Sequence, residues 1–97
     1  MTLSAISHYR GGAIDDVAPL AQTLKAIYLK YGVGYRLSRF QTGPNEGDWL
    51  VTVTYSDATA YEKARALFPK DLELQQVFIE IAKFAKRISR EIVIDHL

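Results

Sequence analysis

The two histidines are the only side chains of this 97-residue chain whose unperturbed charge changes near neutral pH, and the chain has no cysteine. His8 lies in the stretch SAISHYRGG, beside Tyr9 and Arg10 and just before a glycine pair. An imidazole at that place can serve as a general acid or base. The competing reading is a strand histidine at a domain or dimer surface, hydrogen-bonded and inert. A metal shared by His8 and His96 is not expected. The last strand should run antiparallel to the first, which sets His96 near Leu3 or Ser4, about 13 Å from His8 at the rise of a strand and far outside one coordination sphere. Asp95 and His96 could meet a dimer partner, but neighbouring strand residues point to opposite faces. The lack of cysteine removes thiol nucleophiles, disulfides, iron–sulfur clusters and thiolate zinc sites. No metal or other cofactor is expected.

Trp49, Tyr55, Tyr61 and Phe78 offer aromatic surface for a flat apolar ligand, with Trp49 and Tyr55 on one strand face and the other two on the helical region that follows. Ordinary packing of helix on sheet calls for bulk at the same places. Buried tyrosine hydroxyls need partners, which favours a site with polar contents. Arg10, Arg36, Arg39, Arg87 and Arg90 carry a fork that matches a carboxylate or phosphate, although charges on edge strands also serve to oppose wrong pairing. Arg39 and Arg90, which alternate with apolar neighbours, are the foremost candidates. The segment YGVGY follows a helix and precedes a strand, the reverse of the order in which a helix N-terminus receives phosphate. No serine motif has a base at useful spacing.

The elements that must position these residues are legible from period. Leu3 to Arg10 alternates, with Ala5, Ser7 and Tyr9 on one face and Ile6, His8 and Arg10 on the other. Gly11 and Gly12 end this strand. Asp15 or Asp16 is the expected N-cap of a first helix, with Pro19 in its first turn. Val17, Leu20, Leu24, Ile27, Tyr28 and Tyr31 make its apolar stripe, and Gly32 is placed to stop it. GYRLSRFQT and GDWLVTVTY read as strands joined by the turn GPNEG. Ser56 or Asp57 caps a second helix running to Leu67, Pro69 interrupts it, and a further helical piece carries Leu74, Val77, Phe78, Ile81 and Ala85. RISREIVIDHL closes the chain as a strand, with Ile88, Arg90, Ile92 and Ile94 on one side and Ser89, Glu91, Val93 and Asp95 on the other.

The order β-α-β-β-α-β predicts an α+β, ferredoxin-like split sandwich in which strands one and three are central and both helical regions cover one face. Strands three and four carry apolar or β-branched residues on both faces, as in Trp49, Val51, Val53 and Tyr55 against Leu50, Thr52 and Thr54. A sheet covered on one side only should be more polar on the other, so a second subunit's sheet is the natural cover. The chain is expected to form one domain over 1–97, since this length buries only about two-thirds of the unfolded chain's surface. Apolar residues make up 48% of it, which again points to a homodimer. The formal charge of +1, without a basic run, argues against nucleic acid as a partner. The start of the chain lacks the pattern of a signal peptide, and Glu80 and Lys83 interrupt the most apolar window, so a cytoplasmic protein with no membrane partner is expected.

With this order of elements, with WLVTVTYSDATAYEKA ending a strand in an aromatic before a serine and acidic cap, and with the closing SREIVIDHL, the chain resembles the dimeric α+β barrel superfamily over nearly its whole length. That superfamily includes the antibiotic-biosynthesis-monooxygenase-like, EthD-like and NIPSNAP-like groups. The resemblance implies two sheets packed face to face, with a small-molecule cavity between the sheet and helices of each subunit. It also implies cofactor-independent monooxygenase-like or isomerase-like activity on a small aromatic or apolar compound, the alternative being a non-catalytic dimerisation or ligand-sequestering module. Some monooxygenase-like members carry an Asn on strand one and a Trp at the end of strand three, whereas here His8 stands in strand one and Tyr55 ends strand three. On this reading His8 transfers the proton, Tyr55 and Tyr61 orient the ligand, Trp49 and Phe78 form apolar walls, and Arg39 and Arg90 hold an anionic group.

Overall fold

The computed structural model describes residues 1–96. Leu3–Arg10 forms strand β1 and Ile14–Lys30 helix α1; Gly34–Arg39 and Trp49–Tyr55 are β2 and β3. Ala58–Leu67 is α2, Leu72–Ala82 is α3 and Lys86–Ile94 is β4, with a 3-10 turn at Phe68–Lys70 between the last two helices. The sheet order is β2-β3-β1-β4 with antiparallel pairing throughout, so β1 and β3 are central as expected. All helices lie on one side. The molecule measures 34 × 34 × 18 Å, a thickness with room for one helix layer on one sheet, so the other sheet face is bare. No helix among the described residues is long and apolar enough to cross a membrane.

The ends of the helices show where local rules prevailed. Gly32 has φ +71°, and the amides of Gly32 and Val33 donate to the carbonyls of Leu29 and Tyr28, the paired bonds that close a helix through a left-handed residue. Asp57 caps α2 through the Ala60 amide at 2.7 Å, and Asp71 caps α3 through the Leu74 amide at 3.0 Å. The start of α1 differs from expectation. Its N-cap is the extended Ala13, with no side-chain bond, and Asp15 and Asp16 sit inside the first turn, where the helix dipole favours their charge. Pro19 consequently falls in the second turn and deprives the Asp15 carbonyl of its helical donor.

Apolar residues of one strand face and of the helices' inner stripes meet in one core, in which Leu24, Ile27, Tyr28, Val53, Tyr55, Leu74 and Val77 are buried. Full burial of a side chain such as Ile27 or Leu74 contributes about 1.5–3 kcal/mol. Between core and solvent the last strand departs from simple alternation. His8 pairs with Ser89 but Tyr9 pairs with Arg87, so Ile88 is an extra residue in the ladder. The expected side containing Ile88 and Arg90 is corrected by this bulge: Arg87, not Ile88, joins Arg90 on the helix-facing side.

Candidate functional site

Between the sheet and the layer of α1 and α3 lies a cavity of about 530 Å³, within the range that holds a small organic ligand. Each strand supplies its inward residues. β1 gives Ala5, Ser7 and Tyr9; β2 gives Tyr35 and Leu37; β3 gives Trp49, Val51, Val53 and Tyr55; and β4 gives Arg87 and Arg90. The roof is apolar, with Leu20, Leu24 and Tyr28 from α1, Phe68 from the 3-10 turn, and Phe78 and Ile81 from α3. Phe84, 41% exposed, stands at the mouth.

Aromatic contacts hold this lining in place. Tyr28 stacks on Tyr35 at 5.7 Å and meets the edge of Phe68 at 5.3 Å. Tyr31, at the end of α1, donates its hydroxyl to Asp71 at 2.6 Å, and Asp71 in turn caps α3, so one carboxylate fastens both roof helices. That hydrogen bond and the Leu74 amide keep the Asp71 carboxyl below its ordinary range. Trp49, 3% exposed, donates its indole N–H to the Gly12 carbonyl at 3.2 Å, which fixes the ring against the turn after β1.

The polar contents of the cavity are hydroxyls and two guanidinium groups. Burial raises the Tyr9, Tyr28 and Tyr55 phenols, and it pushes Tyr35 up to about 12. The Arg90 charge acts in the opposite direction on Tyr9, Tyr28 and Tyr55, and that of Arg87 on Tyr9. All four tyrosines are therefore neutral hydrogen-bond donors at physiological pH. No carboxylate or imidazole lines the cavity among the described residues.

No family model matches the chain and no curated protein matches it. Solved structures do. The cofactor-independent oxygenase SnoaB from Streptomyces nogalater superposes with a TM-score of 0.70 at 11% identity, over 99% of this chain and 94% of that one. A conserved protein of unknown function from Bacteroides thetaiotaomicron, described as a possible oxidoreductase, gives 0.66 at 17% identity over 95% of each chain. A dimeric protein of unknown function with a ferredoxin-like fold from Bacteroides fragilis gives 0.56 at 11% identity, over 95% of this chain and 92% of that one. The fold shared with these structures is the ferredoxin-like α+β sandwich.

Of the residues singled out from the sequence, this ferredoxin-like fold gathers Trp49, Tyr55, Phe78 and Arg90 at the cavity. Tyr61 stands behind it: its ring meets Tyr55 edge-on at 5.1 Å and its hydroxyl accepts from Arg90 at 3.4 Å. Arg39 lies outside, stacked 4.7 Å over Trp49 and bonded to the Gly47 carbonyl. His8 is not in the cavity. It shares the bare sheet face with Ile6 and Arg10, because residues of one parity on β1 must face away from the helices. There its Nε2 lies 2.7 Å from the Asp48 carboxylate, which also accepts from Arg10, and its ring packs against Phe40 at 5.3 Å. These bonds from Arg10 and His8 hold the Asp48 carboxyl below its usual range. His96 lies past the Leu3–Ile94 pair, at the opposite end of β1 from His8.

The sequence reading missed Ser7, Tyr9 and Tyr35 as lining residues, and it placed Arg87 among the five candidate arginines without setting it foremost. Ser7 and Tyr9 were already assigned to the face opposite His8, and only the choice of face was open. The face that Arg87 occupies had no such signal, since a bulge is not written in periodicity.

Proposed function

We propose that the protein is a homodimer that binds a small, flat, largely apolar compound in the cavity between sheet and helices, and that it oxygenates this compound with dioxygen and no bound cofactor. The observation that carries the binding reading is the cavity itself, roofed by aliphatic and aromatic side chains and floored by Trp49, Val51, Val53 and Tyr55. The cofactor-independent oxygenase among the structural neighbours supports the reaction. Trp49, Tyr55 and Phe78 contact the ligand, while Tyr61 and Arg39 act through Tyr55 and Trp49. His8 belongs to the partner-facing side: the bare face carries Ile6, Leu50, Thr52, Thr54 and Val93 on the inner and outer strands, and a second copy covers it, as the dimeric neighbour suggests.

One observation favours a second reading, a module that holds its ligand without turning it over. With no carboxylate or imidazole lining the cavity among the described residues, a substrate that must lose a proton has to lose it to solvent or arrive ionised. Calorimetric titration with dihydroxynaphthalenes, followed by dioxygen uptake on the same samples, separates the readings. Binding with uptake, both abolished by the cavity-filling Ala21→Phe, is the expected result. Binding without uptake selects the holding module, and no binding by any flat aromatic overturns the cavity reading. Light scattering at micromolar concentration should give a dimer; a stable monomer would remove the partner-facing role of His8.

A further inference from the structure

The cavity is apolar apart from hydroxyls, yet its charged lining is of one sign. Arg87 and Arg90 are its only charged residues among those described, and among the described residues no carboxylate oxygen lies within 4 Å of either guanidinium. The placement of Arg87 beside Arg90 is a product of the bulge. Arg90 pairs across the ladder with Ser7 and Arg87 with Tyr9, and both of these partners line the cavity. Two same-face positions on a strand stand about 7 Å apart, a separation that two arginine side chains close easily around one planar group. The hydroxyls beside them, on Ser7, Tyr9 and Tyr55, add donors. The same wall repels a cation and leaves a neutral ligand's body no charged group to pair with.

We propose that the ligand is an aromatic carboxylate, its ring system lying under the helices and its carboxylate held at the β4 side of the cavity by Arg87 and Arg90. This rests on the cavity reading above and adds the charge and orientation of the occupant. The guanidinium fork presents parallel N–H groups that match a planar carboxylate. The half-apolar, half-cationic surroundings disfavour a bulky, doubly charged phosphate, which would bring its hydration into an aromatic wall. The positive field reaches the hydroxyls inside, as the pull of Arg90 on Tyr55 and of both arginines on Tyr9 shows.

A matched pair of probes tests it: 2-naphthoate and its methyl ester, which share a ring system and differ in charge, titrated calorimetrically at low and high salt. The parent protein should bind naphthoate at least tenfold more tightly than the ester, with the preference shrinking as salt rises. Arg87→Gln with Arg90→Gln should abolish the preference by weakening naphthoate binding at least tenfold; both residues are exposed on an edge strand, and melting temperature confirms that the double variant folds. Arg87→Lys with Arg90→Lys should keep part of the preference, and Lys25→Gln, which removes a charge from the exposed side of α1, should keep all of it. Equal affinity of acid and ester for the parent overturns the anion site and leaves the cavity reading intact. Failure of both probes to bind the parent overturns the cavity reading and this one with it.

Discussion

Tyr35 allows the most direct test of how the cavity sets its own electrostatics. Its phenol, stacked on Tyr28 inside the lining, is pushed from 10.0 up to about 12, chiefly by burial. In the unfolded chain it ionises at the ordinary value. A folded value above the unfolded one contributes stability that is fully present below pH 10 and is lost as pH rises from 10 through 12. Two pH units correspond to about 3 kcal/mol, a ceiling, since Tyr35 is only half-buried and retains some solvent screening; roughly 1–3 kcal/mol is expected. Urea unfolding at pH 8, 10, 11 and 12 should show that the parent loses this much more than Tyr35→Phe across the alkaline range. Tyr9, Tyr28 and Tyr55 also rise, so the variant keeps part of the slope and the difference isolates Tyr35. Parallel pH curves for the two proteins, or a tyrosinate absorbance change near pH 10 that Tyr35→Phe removes, would refute the burial argument. The consequence for the site is that its phenols are protonated at neutral pH, where a carboxylate is ionised.

Three other perturbations probe the scaffold. Asp48 is held below its usual carboxyl range by Arg10 and His8, so its contribution is present above the ordinary carboxyl pKa and lost as pH falls through the lowered folded value; Asp48→Asn should flatten the acid limb of stability measured between pH 2 and 5. Leu74→Ala, at a position 0% exposed, should cost about 2–5 kcal/mol and lower the melting temperature by at least roughly 8 °C and by up to roughly 40 °C. Gly11 has φ +99°, and a Cβ there would lie 2.7 Å from the Phe84 carbonyl oxygen, whereas Gly43, at φ +91°, has open space. Gly11→Ala should therefore lower the melting temperature clearly more than Gly43→Ala; equal effects would show that the chain near Phe84 yields without cost.

The fold was legible because its signals are local and agree with one another. Alternation from Leu3 to Arg10, the stripe from Val17 to Tyr31, the stop at Gly32 and the cap at Asp57 all point to one arrangement, and the structure contains it. The start of α1 was misjudged because carboxylates favour both the cap and the first turn, and sequence alone does not say which of the two places Asp15 and Asp16 occupy. The site was less legible. Period separates the two faces of β1, but which face meets the helices is a property of the whole sheet, and on that choice rested whether His8 or Tyr9 enters the cavity. Tyr61 and Arg39 were near misses of the same kind: each touches a lining residue from behind, a distinction that depends on side-chain direction and not on spacing.

The extra residue at Ile88 gives the sheet a second reading frame. Were the irregularity to slide by one pair toward Lys86, Ile88 would stand opposite Tyr9 and Arg87 would turn outward, with every other pair from Leu3 to His8 unchanged. The inner wall would then carry one positive charge where it now carries two. A displacement of one residue along an edge strand, without any substitution, thus suffices to retune what the cavity accepts, and related chains of this architecture can differ in the ligands they take by the place of a bulge alone.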